Sequence, residues 1–229
     1  MHLTWTTLEL TGPAPDCPWI PAGATFVQAG HAAAGTADVP AFDGLWWSVL
    51  ATWPDAEQAR AAAPGPVQGV RQAWHVSLEA VSFRGDALLS GGAQPFADLP
   101  ARGKVAGAAA VITLAGLGTD AERTGEFLDR VGHLSSDVRS AAGHRAALVQ
   151  APADGAVLTF SAWRTLRDAV TWAYHRPDHA QTVARQHEHQ LLATSGFLRC
   201  AVLSSAGTLA DTDPLAGLTG VPVHAPEQR

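Results

Sequence analysis

Apolar residues recur along this chain with two periods, and the changes from one period to the other divide it into elements. Residues 3–10 are rich in aromatic and β-branched side chains and read as a strand. Residues 11–21 hold four prolines and a glycine and read as loop. Residues 22–35 are small and weakly patterned, and the reading there is a helix. Residues 44–52 form a short apolar run that reads as a buried strand. A helix follows over 54–63, with Pro54 near its start and Gly65-Pro66 after its end. Residues 72–83 alternate as a strand, with Trp74, Val76, Leu78 and Val81 as its apolar members. The glycine- and proline-rich stretch 84–103 reads as a linker.

The second part repeats this grammar. Residues 105–114 read as a strand. A helix begins near Thr119, where Glu122 three positions on suggests a capping box. Strands over 146–150 and 156–161 flank a turn at 151–155. Helices are expected over 165–174 and 177–193, then a closing strand over 197–205. Residues 207–229 carry three prolines and read as a tail.

Laid together, the halves match. Ser48-Val-Leu-Ala-Thr-Trp53 and Leu158-Thr-Phe-Ser-Ala-Trp163 each precede a helix and a further strand. That order is compatible with a ferredoxin-like α+β unit. Two such sheets would close edge to edge into a barrel with helices outside, leaving no exposed strand edge. The expected fold class is therefore α+β: two tandem ferredoxin-like repeats, residues 1–95 and 104–206, forming a pseudo-dimeric barrel, with 207–229 as tail. The halves differ in one place. Trp53 to Trp74 spans 21 positions and Trp163 to Phe197 spans 34, which leaves room for an extra helix in the second half.

Bulk composition narrows the function classes. In 229 residues, 47% are hydrophobic and 16% charged, enough apolar material for a core and too little charge for disorder. The net charge of -6 and the lack of a basic stripe argue against a nucleic-acid partner. Two distant cysteines, Cys17 and Cys200, make a disulfide scaffold or structural zinc site improbable and point to a reducing compartment. No signal-peptide pattern opens the chain, and the longest apolar run is too short to span a bilayer, so a cytoplasmic protein without a membrane span is expected. Eight tryptophans against one tyrosine mean core packing first and an aromatic-lined pocket second.

The candidate chemistry sits in Trp172-Ala-Tyr-His-Arg-Pro-Asp-His179. Proline fixes φ and lacks an N–H, so Pro177 suits the first turn of a new helix, with Arg176 at the junction and Asp178 and His179 in that first turn. Steps of four from His179 reach Val183, His187 and Leu191, so His179 shares the face of an apolar stripe. A histidine there is a ligand or acid/base candidate, and more often a buried residue with one hydrogen bond. His175 and His179 cannot share a metal, because Pro177 breaks the helix between them. His187 and His189 point to opposite sides of theirs. No GxSxG, Walker or Rossmann pattern is present, and Cys200 lies in an apolar strand.

The chain resembles the spheroidene monooxygenase family of the dimeric α+β barrel superfamily. The resemblance rests on Ser48-Val-Leu-Ala-Thr-Trp-Pro-Asp55 and the Trp74 strand in the first half. In the second half it rests on Thr159-Phe-Ser-Ala-Trp163, Pro177-Asp-His179 and the strand ending in Val202-Leu203. It covers roughly residues 40–210, through the order and spacing of these pieces. It implies a b-type heme, an enzyme of heme-dependent monooxygenase type, and His179 as the axial iron ligand. Arg176 and Arg185 are near enough in sequence to partner the heme carboxylates. The segment from His187 to Gly196 departs from the family pattern, so a carotenoid substrate is not carried over. A small organic substrate of specialised metabolism is expected instead, with an external electron donor if oxygen is inserted. Neutral histidine ligation is equally compatible with peroxide chemistry or with redox-neutral dehydration of an N–O substrate. Two further readings stay open: a cofactor-free barrel enzyme with His179 as acid/base, and a ligand carrier without turnover. Either a monomer or a homodimer is compatible with the internal repeat.

Overall fold

The structure, a computed structural model, describes residues 1–34, 42–151, 156–175 and 191–218. Its strands are His2–Leu10 (β1), Phe26–Ala34 (β2), Trp46–Trp53 (β3), Val70–Gly85 (β4), Ala109–Gly116 (β5), His144–Ala151 (β6), Ala156–Trp163 (β7) and Thr194–Gly207 (β8). The α-helices are Ala56–Ala61 (α1), Ala121–Arg139 (α2) and Leu166–His175 (α3). The strands pair antiparallel and close in the order β1-β3-β2-β6-β7-β5-β8-β4. Reading around the ring, the first half runs β4-β1-β3-β2 and the second β8-β5-β7-β6, so both halves place their strands in the same relative order. The α+β class expected from the sequence is the one observed.

Alternation decides which side chains enter the ring. Leu3 and Trp5, Leu50, Val76 and Leu78, Ile112 and Leu114, Leu148, Leu158 and Phe160, and Leu198 and Cys200 come from seven of the strands and form one buried cluster. An eight-stranded barrel is just wide enough for side chains to fill, and these fill it. Aromatic rings join the halves inside. Trp5 of β1 stacks on Phe160 of β7 at 5.0 Å, and Trp74 of β4 meets Phe160 edge-on at 5.8 Å. Burying an aromatic or branched side chain contributes on the order of 1.5–3 kcal/mol each, so this shared interior is the main source of stability.

The two seams between halves differ. β4 and β8 pair from Trp74↔Gly207 to Gly85↔Gly196, whereas β2 and β6 pair only from His31↔Ala151 to Ala34↔Leu148. Gln150 of β6 reinforces the short seam by donating from Nε2 to the Ser48 carbonyl at 2.6 Å. Outside the sheet, α1 lies over β1, β3 and β4. There His75 is buried, bonded through Nδ1 to the Thr6 hydroxyl at 2.8 Å and through Nε2 to the Ala59 carbonyl at 3.2 Å. One neutral tautomer satisfies both contacts, with Nε2–H donating to the carbonyl and Nδ1 accepting from the hydroxyl.

Four expectations are corrected. Residues 22–35 were expected as helix, but 26–34 are strand β2. Their sequence is too poor in apolar side chains to show alternation, and pairing with β3 and β6 overrides local preference. The stretch 84–103 is no bare linker: Ala87, Leu89 and Phe96 enter the main cluster, with Phe96 packed on Phe83 at 5.8 Å. The described part of the tail, 208–218, also folds back. Leu215 is fully buried, and Asp213 accepts from Trp74 Nε1 at 3.1 Å and Ser205 Oγ at 2.7 Å. Finally, α2 is capped by Asp120, whose carboxylate accepts from the Glu122 and Arg123 amides, in place of Thr119.

Two predictions follow from this packing. Gly85 has φ +137°, and a Cβ there would lie 2.1 Å from the Ser195 carbonyl oxygen across the long seam. Gly85→Ala should therefore lower unfolding free energy by about 2–4 kcal/mol in urea titrations, while Gly65→Ala, with nothing within 4 Å, should change it by under about 0.5 kcal/mol. Burial pushes the His75 imidazole below its usual value of 6.5, the bond to Ala59 opposing. The unfolded chain then binds the extra proton first, so stability is full above pH 6.5 and falls as pH drops below it toward the folded value. The denaturation midpoint should decline on acidification from pH 7 to 5, and His75→Gln should decline less steeply.

Candidate functional site

His179, Arg176 and Arg185, the residues the sequence singles out, lie outside the described residues, as do His187 and His189. The described structure shows what surrounds the ends of that segment. It leaves α3 at His175 and resumes at Leu191, ahead of β8, on the second half of the barrel.

Because Ile112, Leu114, Leu158, Phe160 and Leu198 face inward, their alternates face outward. On β5 these are Val111, Thr113 and Ala115; on β7, Val157, Thr159, Ser161 and Trp163; on β8, Phe197 and Arg199. Register sets them in rows: Val111 beside Ser161 and Arg199, Thr113 beside Thr159 and Phe197. Helices cover the two ends of this face. Phe127 and Val131 of α2 pack with Ala115, Val149 and Val157. Val138 of α2 with Ala169 and Trp172 of α3 packs on Trp163, Val111 and Ala147. Between the ends runs a strip of Thr113, Thr159, Ser161, Phe197 and Arg199. The two threonines, the serine and the arginine are half-buried, and Phe197 is 42% exposed although both its chain neighbours are buried. Leu128 of α2 and Tyr174 of α3 are also among the exposed large apolar residues.

An aromatic cluster closes the α3 end of the strip. Trp163 and Trp172 rings lie 5.8 Å apart, and His144 meets Trp163 edge-on at 5.3 Å. Trp163 Nε1 donates to Ser161 Oγ on its own strand at 2.9 Å, and Trp172 Nε1 donates to Asp137 Oδ2 at 3.3 Å, tying α3 to α2. Burial lowers the His144 pKa, opposed by its backbone bond to Ala146 and reinforced by the Arg139 charge. Its Nε2 is buried without a hydrogen-bond partner. No local signal marks His144 in the sequence, because its ring partners come from β7 and, beyond that, α3.

The other chemistry-bearing groups resolve simply. His75 spends both nitrogens on Thr6 and Ala59, so it is a packing residue. Cys200 points into the barrel, fully buried, and its thiol is pushed far up by desolvation, which removes it as a nucleophile. Among the described residues no group of three or more His, Cys, Asp or Glu side chains could hold a metal ion. Trp5, Trp74 and Trp163 are fully buried and Trp47 and Trp53 nearly so, which is core packing, while half-buried Trp19 packs against Leu8, Leu10 and Trp47. What the strip offers is hydroxyls, one guanidinium and an aromatic wall, a surface suited to binding and orienting a flat, largely apolar molecule.

No protein-family model matches the sequence, and no curated protein matches it. Solved structures do match. An aldoxime dehydratase overlaps with a TM-score of 0.51 at 11% identity, covering 88% of this chain and 81% of that one. A second, an aldoxime dehydratase in complex with butyraldoxime, overlaps equally at 11% identity and covers 88% and 79%. A candidate monooxygenase from Fusobacterium nucleatum covers 93% and 96% at 9% identity, but its TM-score of 0.42 adds no weight. At such identities the likeness is one of fold: the chain shares its α+β architecture with the aldoxime dehydratases.

Proposed function

We propose that this chain is a heme-dependent enzyme of the monooxygenase type acting on a small organic substrate. His179 would hold the iron, and Arg176 and Arg185 would partner the heme carboxylates. The observation that carries the reading is the half-open strip on the outer face of the second half, flanked by the ends of the segment that bears His179. The strip fits the group in kind. Its floor is apolar or hydroxyl-bearing with Arg199 as its one charge, its end wall is aromatic, and the His144 Nε2 beside that wall lacks a partner. When bound, the heme would supply an iron with one coordination position open to oxygen, peroxide or the substrate's own heteroatom.

The chain's residues would do the rest. A neutral His179 imidazole holds the group in place. Cationic Arg176 and Arg185 neutralise its carboxylates. Trp163 and Trp172, held by Ser161 and Asp137, exclude water from one end. Thr113 and Thr159 present hydroxyls that can orient a polar substrate group. The shared strand order supports reading residues 1–95 and 104–206 as a fused pair of ferredoxin-like repeats, and the second one works. No described helix is long and apolar enough to cross a membrane, and the reading places the enzyme in the cytoplasm, as monomer or homodimer.

A second reading is favoured by the overlap with aldoxime dehydratases, one of them holding butyraldoxime: dehydration of an N–O substrate on the same site. The two differ in electron balance. An aldoxime loses water without net oxidation and requires no external electron donor, whereas insertion of one oxygen atom from O₂ requires two electrons from outside. A cofactor-free enzyme with His179 as acid/base is the fallback.

Hemin titration of the apoprotein tests the reading. Wild type should give a sharp Soret band, lost or shifted in His179→Ala and restored by added imidazole, while His75→Gln leaves it unchanged. A wild type that takes up no hemin contradicts the proposal, and a band indifferent to His179 moves the ligand, with His187 next. With hemin bound, conversion of butyraldoxime to its nitrile without a donor would select dehydration, and donor-dependent oxygen uptake would select oxygenation.

A further inference from the structure

The outer strip of the second half carries a guanidinium that no described carboxylate answers, and a second stands beside it. Register places both. Arg84 of β4 lies opposite Phe197 of β8, which lies opposite Thr113 of β5. In the next row Ser82 lies opposite Arg199, and Arg199 opposite Val111. Arg84 and Arg199 are therefore diagonal neighbours on one face, with Phe197 beside both. Such positions sit roughly 7–8 Å apart, within reach of long side chains. Among the described residues the ion pairs are Arg71–Glu9, Arg123–Asp120, Arg130–Glu126 and Arg164–Asp168, and neither Arg84 nor Arg199 joins one. The acids nearest them along β4 are engaged elsewhere or stand apart: Asp86 accepts from the Ser195 amide at 3.0 Å, and Glu79 lies opposite Ala201.

We propose that this face binds an organic acid with an apolar body, whose carboxylate pairs with the Arg199 guanidinium. Arg199 is half-buried and presents a planar fork of donors, the geometry that a carboxylate matches with two parallel bonds. Arg84 is exposed and screened by solvent, so it adds attraction from the edge, and one negative charge is what the site compensates. Of the strip's hydroxyls, Ser161 Oγ is engaged with the Trp163 indole and the Val111 carbonyl. No group among the described residues takes the Thr113 and Thr159 hydroxyls, which are left to donate to a ligand oxygen. Phe197, 42% exposed between the arginines and the threonines, offers its ring to the hydrocarbon part. That the acid is a substrate rests on the heme reading. That the strip holds a carboxylate does not, and the same chemistry could be supplied by the heme's own carboxylates.

Calorimetric titration at pH 7 with 2-naphthoate and with 2-naphthamide, its uncharged counterpart of the same shape, tests this on protein with and without hemin. The acid should bind one-to-one and more tightly than the amide in both forms. Arg199→Gln should weaken the acid by roughly tenfold, the loss of a charge-assisted contact, and leave the amide unchanged. Arg84→Gln, at an exposed position, should weaken the acid by no more than about threefold. Wild type that binds the acid no better than the amide, or binds neither, overturns the proposal, and that comparison needs no variant to fold. So does an Arg199→Gln variant that weakens both ligands equally. Binding of the acid to hemin-free protein that is lost on hemin loading assigns the guanidinium to the heme carboxylates and overturns it too. If hemin does not bind at all, the heme reading fails and the hemin-free titration still decides whether the strip holds a carboxylate.

Discussion

Closure of the sheet is the constraint on which everything else depends. Each half alone would expose one apolar sheet face and two unpaired strand edges. Joined, the halves share one interior, and Phe160 of the second half packs between Trp5 and Trp74 of the first. The long β4–β8 seam holds the closure, and its geometry leaves no room for a side chain at Gly85 or Gly207, each of which faces a partner carbonyl at about 2 Å from where a Cβ would sit. Because the ring is filled with side chains, a ligand has to bind on the outside, between sheet and helices.

That division explains where chemistry is found. Inward positions are mostly apolar, with a buried polar group of Thr7, Gln28, Ser48 and Gln150 near the short β2–β6 seam. Outward positions carry most of the remaining hydroxyls and histidines, and whatever covers them decides their use. Where α1 covers β1 and β4, Thr6 and His75 satisfy each other and the face is structural. Where α2 and α3 cover the two ends, Phe197 is exposed and Thr113, Thr159 and Arg199 are half-buried.

Much of this was legible in the sequence, and the exceptions share a cause. β1, β3, β4, β7 and β8 show as apolar alternation or short apolar runs because both faces of each strand meet a defined environment. β2 does not show. Its run of small residues gives no alternation, and what makes it a strand is its pairing with β3 and β6, which is non-local. Ala87, Leu89, Phe96 and Leu215 were invisible as core for the same reason: their segments read as turns, and only the assembled barrel gives them something to fill. Of the candidate residues, Pro177-Asp-His179 stands out in the sequence but lies outside the described residues, while the tryptophans were readable as core. The joining of His144, Trp163 and Trp172 from β6, β7 and α3 was not, since it depends on how the second half is wound.

The central claim is that the outer face of the second half holds the reactive group through His179. A crystal structure of the hemin-loaded protein tests it most directly. The account predicts iron bonded to the His179 imidazole, with the porphyrin lying over the Thr113–Thr159 strip and its carboxylates toward arginine. Iron held by another side chain, or a porphyrin seated on the first half of the barrel, would contradict it.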